Sequence, residues 1–167
     1  MNRDPLRLRA VTALPNQSLH LVFEDGFEAD VGLRDWIANT SVLHVLADPE
    51  LFSQARVGEW GSAVEWIADE LDLGADNLRN LAVEQAGGFG HERIWVWMHD
   101  CGLTQQQAAD AVGISRRMLN YYLSGSKPIP KTVWLACKGW QAEQREAQRR
   151  PNRRQATHHG VTAAVHA

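Results

Sequence analysis

The chain has 167 residues and a formal net charge of −3, enough for one ordinary domain or two small ones. No run approaches the roughly 18 apolar residues of a membrane span, and the opening MNRDPLRLRAV has no apolar signal core, so a cytoplasmic protein without a membrane partner is expected. The mean charge hides a split: residues 1–90 carry 6 Lys+Arg against 15 Asp+Glu, residues 91–167 carry 11 against 5, so the first half repels nucleic acid and the second attracts it.

In chain order, Leu6–Leu14, Ser18–Glu24 and Phe27–Val31 alternate in part, with turn signals at Pro15-Asn16 and Asp25-Gly26 between them. They predict a three-stranded antiparallel meander. A short helix is predicted from Leu33 to Ile37, and a helical turn opened by Asp48-Pro49-Glu50 through Phe52. Two further strands are expected at Ala55–Val57 and Ala63–Trp66. Asp76 is read as the cap of a helix reaching Ala86, with Leu78, Leu81 and Ala82 inward. The segments Leu21–Gly26, Leu46–Phe52, Val64–Trp66 and Asp72–Leu78 together resemble a small uncharacterised bacterial α+β domain. That domain occurs alone or fused ahead of a Cro-type helix-turn-helix, and the resemblance implies a partner-binding or antitoxin-like role.

Gly87-Gly88-Phe89-Gly90 ends the acidic half. Three glycines in four residues cannot continue a helix and are read as a linker that lets two domains pivot. The expected organisation is an α+β domain over 1–86, a linker over 87–90, an all-α domain over 91–150 and a tail over 151–167. His91–Cys101 is the first helix of the second domain, with Ile94, Trp97 and Met98 as its buried stripe.

Leu103 to Leu123, LTQQQAADAVGISRRMLNYYL, is the most informative stretch. Thr104 and Gln107 form a capping box. Ala108, Ala109 and Val112 then share one stripe, and the two small residues allow another helix close approach. Gly113 supplies the positive φ that leaves the helix, Ile114 plugs the turn, and Ser115 is a new N-cap. Two helices this close in sequence cross steeply. On the second, Leu119, Tyr122 and Leu123 are core, flanked by Met118, while Arg116, Arg117, Asn120 and Tyr121 lie opposite. Guanidiniums suit guanine or phosphate and an amide suits adenine. No acid occurs between Asp110 and Glu143.

Leu103-Thr104-Gln105, Ala108-Ala109, Gly113-Ile114-Ser115, Leu119 and Gly125-Ser126-Lys127-Pro128 resemble the lambda-repressor-like (Cro-type) helix-turn-helix family, over about Arg93 to Trp140. The family often has Glu where this chain has Leu123 and Leu where it has Ala108. The resemblance implies double-stranded DNA as partner, with Gln105 and the first-turn amides meeting phosphate and Gln106 and Lys127 also among the DNA-binding residues. It places Ser115, Arg116, Arg117, Asn120 and Tyr121 toward the major groove.

A last helix is predicted from Lys131 to Arg150, anchored by Val133, Trp134 and Leu135, with Trp140 at the core edge. Five arginines between Gln144 and Arg154 either follow phosphates or belong to a solvated helix ending at Pro151. Gln155 onward is weakly patterned and reads as disordered. Cys101 and Cys137 are expected to be free thiols. Core positions are expected for Trp36, Trp66, Trp95 or Trp97, and Trp134, and His44 and His99 are read as satisfied or half-exposed packing residues.

No paired-His helix, phosphate loop, nucleophile elbow or Cys-x-x-Cys occurs, and His158-His159 is too sparse for a metal site. Neither catalysis nor a cofactor nor a metal is expected. The leading reading is a sequence-specific transcriptional regulator acting as a homodimer, since one such domain covers only a half-site. The alternatives are an antitoxin-like protein whose first domain binds a toxin, and an interaction module that has lost DNA binding.

Overall fold

Two hairpin turns organise the N-terminal half of the chain. The computed structural model describes residues 4–156. Strands β1 (Leu8–Leu14), β2 (Ser18–Phe23) and β3 (Glu28–Gly32) form an antiparallel meander in the order β1-β2-β3. Asn16 and Gln17 both take positive φ (61° and 56°), as a type I′ turn requires. At the next turn Gly26 has φ 94°, and Phe23 N–H donates to the Phe27 carbonyl at 2.9 Å. Leu19, Leu21 and Phe23 alternate along β2 with no exposed surface, so this strand carries the hydrophobic face of the sheet.

Helix α1 (Arg34–Asn39) follows, then a 3₁₀ segment (Ser41–Ala47) and the single turn α2 (Pro49–Phe52), whose Glu50 amide donates to the Asp48 carboxylate. A second antiparallel sheet orders β4 (Arg56–Val57), β5 (Ala63–Ile67) and β6 (Leu71–Gly74). Helix α3 (Ala75–Gln85) covers the core formed with both sheets through Ala75, Leu78 and Ala82. Its N-cap is Gly74, with no side-chain cap bond; Asp76 sits inside the first turn, where a carboxylate still suits the positive helix end. The 3₁₀ segment and β6 are elements that the sequence pattern did not predict.

The glycine segment is held at both ends. Gly87 (φ 84°) and Gly88 close α3 in a Schellman motif, with Gly88 N–H on the Val83 carbonyl (2.9 Å) and Gly87 N–H on Glu84 (3.0 Å). Gly90 N–H then donates to Glu84 Oε1 (2.8 Å), and Glu92 N–H to Asn80 Oδ1 (3.1 Å). A Cβ on Gly90 would stand 1.9 Å from Asn80 Oδ1. Arg93 pairs through both Nε and Nη2 with the Glu84 carboxylate and lies over the rings of Phe89 and Trp134. This segment, read from the sequence as a linker, therefore passes from α3 to the helix that begins at Glu92 as a bonded clasp.

Helices α4 (Glu92–Cys101), α5 (Gln105–Val112), α6 (Arg116–Leu123) and α7 (Lys131–Ala156) build the second core. Ile94, Ala108, Ala109, Leu119 and Cys137 are its least exposed members. Trp97 is buried, whereas Trp95, 200° around the helix from it, is 46% exposed. Of the two histidines, His44 is exposed but satisfied, its ring meeting the Ala38 carbonyl at 3.1 Å, whereas His99 lies fully on the surface instead of packing. Leu135 is also exposed. Both cysteines are free, and burial, the largest influence, pushes the Cys137 thiol up to about 11. Helix α7 runs past Pro151 to Ala156; residues 157–167 lie outside the described part.

Candidate nucleic-acid interface

Local chemistry fixes the α5–α6 unit before any packing does. Thr104 Oγ1 accepts from Gln107 N–H (3.2 Å) and Gln107 Oε1 accepts from Thr104 N–H (2.9 Å), completing the capping box. Gly113 leaves α5 at φ 72°. Ser115 Oγ accepts from Met118 N–H (3.1 Å), so this oxygen starts α6 and its hydroxyl proton stays available. Leu119, Tyr122 and Leu123 are buried, and burying one such leucine contributes about 1.5–3 kcal/mol. With that face inward, Arg116, Arg117 and Asn120 are exposed and Tyr121 is half-buried.

The outward residues fall into two groups and a lone arginine. Arg117 Nε donates to the Tyr121 hydroxyl (3.0 Å), and Lys127 Nζ lies 4.6 Å from the centroid of the same ring. Tyr121 thus holds two cations on one aromatic platform, which places them at lower entropic cost than free side chains. Arg116 makes no ion pair among the described residues. Gln106 is turned aside, donating to Asp110 Oδ1 (3.0 Å). Gln105 and Asn120 form the second group, at the rim of a cleft shared with Leu6, Asp76, His91, Glu92 and Trp95.

Nothing in the sequence pattern marks Leu6, Asp76, His91, Glu92 or Trp95 as neighbours of Gln105 and Asn120. Asp76 comes from α3, so the acidic half of the chain reaches the edge of the α5–α6 face. Trp95 Nε1–H donates to the Leu123 carbonyl (3.1 Å), tying α4 to the last turn of α6. The only available signal was helical spacing, which sets Trp95 outside the Ile94, Trp97 and Met98 stripe.

This architecture, an acidic two-sheet α+β unit followed by a four-helix unit with capped α5 and α6, is matched by known families. The family described as "Protein of unknown function (DUF2442)" matches residues 8–84, and the helix-turn-helix family matches residues 100–138. A crystal structure of a "Putative DNA Binding Protein" from Nitrosomonas europaea ATCC 19718 is similar at 40% identity and a TM-score of 0.77. The match covers 85% of this chain and 91% of that one. The chain belongs to this family, a DUF2442 domain followed by a Cro/C1-type helix-turn-helix. No curated protein matches it. Among the described residues no helix is long and apolar enough to cross a membrane.

Proposed function

We propose that the protein is a sequence-specific DNA-binding transcriptional regulator that sets α6 into the major groove as a homodimer. The observation that carries this reading is the outward face of α6. Arg116, Arg117, Asn120 and Tyr121 are displayed together, joined by Lys127, with no acidic side chain on that helix. Guanidiniums and an amide are the groups that read guanine and adenine edges, and a solvated helix face of ordinary purpose mixes both charge signs. The similarity to the Nitrosomonas europaea protein supports the same reading. One helix-turn-helix spans a half-site, so operator affinity requires two copies about one helical turn apart. The test is a fluorescence-anisotropy titration of the whole chain on the DNA upstream of its own gene. A scrambled duplex and the Arg116→Ala/Arg117→Ala protein are controls, at two salt concentrations. Selective, salt-steep, arginine-dependent binding is expected; equal binding to both duplexes, or by both proteins, overturns it.

A further inference from the structure

The cleft beside Gln105 and Asn120 has a volume of 660 Å³, and one wall comes from each half of the chain. Its chemistry is unusual for a surface next to a DNA-facing helix. Asp76 and Glu92 both line it, and neither carboxylate takes part in a hydrogen bond or ion pair among the described residues. His91 lines the same cleft. Only 8% of this residue is exposed, its ring packs near Gly125 and Leu6, and no described residue hydrogen-bonds to either ring nitrogen. Neither nitrogen is sealed from solvent, so the ring's polar edge is open to the cleft. Leu6, Trp95, Val96 and Leu123 make the remaining walls apolar or aromatic.

From this we infer that the cleft is an effector site for a small organic ammonium ion with an apolar body. The ammonium group sits against the carboxylates of Asp76 and Glu92, with the imidazole of His91 beside them. Its body lies along the indole of Trp95. Charge-assisted bonds to the two carboxylates hold the ammonium group, and the aromatic face adds cation–π attraction. A metal ion fits less well, because no three His, Cys, Asp or Glu side chains among the described residues converge closely enough to hold one. An anion would face two unpaired carboxylates. The free groups are prepared for a cation: burial, then the charges of Asp76 and Glu84, holds the Glu92 carboxyl above its ordinary value. Burial likewise keeps His91 below its ordinary value, against the pull of Asp76 and with the push of Arg79. An arriving cation offsets the mutual repulsion of the Asp76 and Glu92 carboxylates.

Occupancy is linked to DNA. The two carboxylates stand at the rim shared with Gln105 and Asn120, where phosphates approach, and neutralising them removes a repulsion. A bound amine therefore strengthens operator binding, and DNA strengthens amine binding by the same factor. This coupling rests on the DNA-binding reading above, whereas the cleft's affinity for an amine does not.

The test is an NMR titration of the full chain, without DNA, using benzylamine and tryptamine against benzoate and indole-3-acetate. Both amines should shift the Trp95 indole N–H and the amides of Asp76, His91 and Glu92, and the two carboxylates should not. Asp76→Asn/Glu92→Gln should weaken amine binding roughly tenfold or more, the loss expected for charge-assisted bonds. Glu92→Gln alone serves if the double variant does not fold. Equal shifts by amines and carboxylates, undiminished binding by the variants, or no shift at the cleft would overturn the site. Anisotropy with saturating tryptamine then reads the coupling, an expected gain of about fivefold. No gain there, with cleft binding intact, would overturn the coupling and leave the ligand site standing.

Discussion

Arg79 of α3 and Asp25 of the β2–β3 turn form a two-pronged ion pair: Nη1 to Oδ1 at 3.0 Å and Nη2 to Oδ2 at 2.9 Å. The guanidinium also donates to the Pro5 carbonyl (3.1 Å) and lies 3.9 Å over the Phe27 ring centroid, with only 8% of its side chain exposed. Removing one member of such a pair strands a buried charge. Arg79→Met should cost roughly 3 kcal/mol in a urea unfolding titration. Asp25→Asn/Arg79→Met together should cost less than either change alone predicts, because no uncompensated charge remains. A loss below about 1 kcal/mol for Arg79→Met would show that the pair is peripheral to stability.

The same pair gives a pH dependence. Burial alone would raise the Asp25 carboxyl, but bonds from Arg79 and the Phe27 amide, with the charge of Arg79, hold it below its ordinary value. Glu84 is lowered first by its bonds to Arg93, with burial opposing and the Gly90 amide assisting. A depressed folded pKa contributes stability in full above the unfolded value, about 4, and loses it as pH falls through the folded value. Tm should therefore decline as pH drops below about 4. In Asp25→Asn part of that decline should be absent; an unchanged pH profile would remove Asp25 from the account.

At the clasp, Gly90→Ala forces a methyl into the space of Asn80 Oδ1 and should break the Asn80–Glu92 bond. The expected cost is about 1–3 kcal/mol, with faster hydrogen exchange at the Glu92 amide. Gly102→Ala is a useful comparison, since open space surrounds that position although its φ is 63°. Exchange at Glu92 that stays as slow as in the wild type would mean the crossing tolerates the methyl.

On the DNA side, Arg116→Ala should lower operator affinity by about 1–3 kcal/mol and relax sequence preference, as loss of a base contact does. Deleting residues 144–167 should weaken binding to every duplex alike and flatten the salt slope, the behaviour of phosphate contacts. If the deletion changes preference and the arginine change does not, the two roles are reversed.

Thiol chemistry offers a further check on the second core. With its thiol near 11 and its side chain buried, Cys137 should resist alkylation by iodoacetamide at pH 8 in the native state. The half-buried Cys101 should react first. Equal rates would indicate that the core around Ile94 and Leu119 opens readily.

The helix-turn-helix was legible because each boundary has its own local chemistry: Thr104 with Gln107, Gly113, and Ser115 are decided within four residues of themselves. The meander was legible through alternation along Leu19, Leu21 and Phe23 and the turn at Asp25-Gly26. Residues 41–47 gave no such signal. There Leu43 and Leu46 are buried while Val42 and Val45 are exposed, a repeat of three that belongs to a 3₁₀ helix and mimics neither common period. Strand β6, Leu71–Gly74, is too short to alternate visibly and exists through its pairing with β5. Arg79 and Asp25 are 54 positions apart, and the cleft joins residues from Leu6 to Ser124. Such contacts are set by tertiary packing and leave no mark on local pattern.

The clasp also bears on how this chain can be divided for study. Glycine-rich stretches invite cleavage or truncation, yet a cut between Gly87 and Gly90 separates Glu84 and Asn80 from the four donors they serve: the Gly90 and Glu92 amides and two nitrogens of Arg93. A fragment starting at residue 91 would begin with Arg93 unpaired and Trp134 without the Phe89 ring beside it. Fragments of the helical half are better begun ahead of Asn80, inside α3, so that the acceptors travel with the helices they hold.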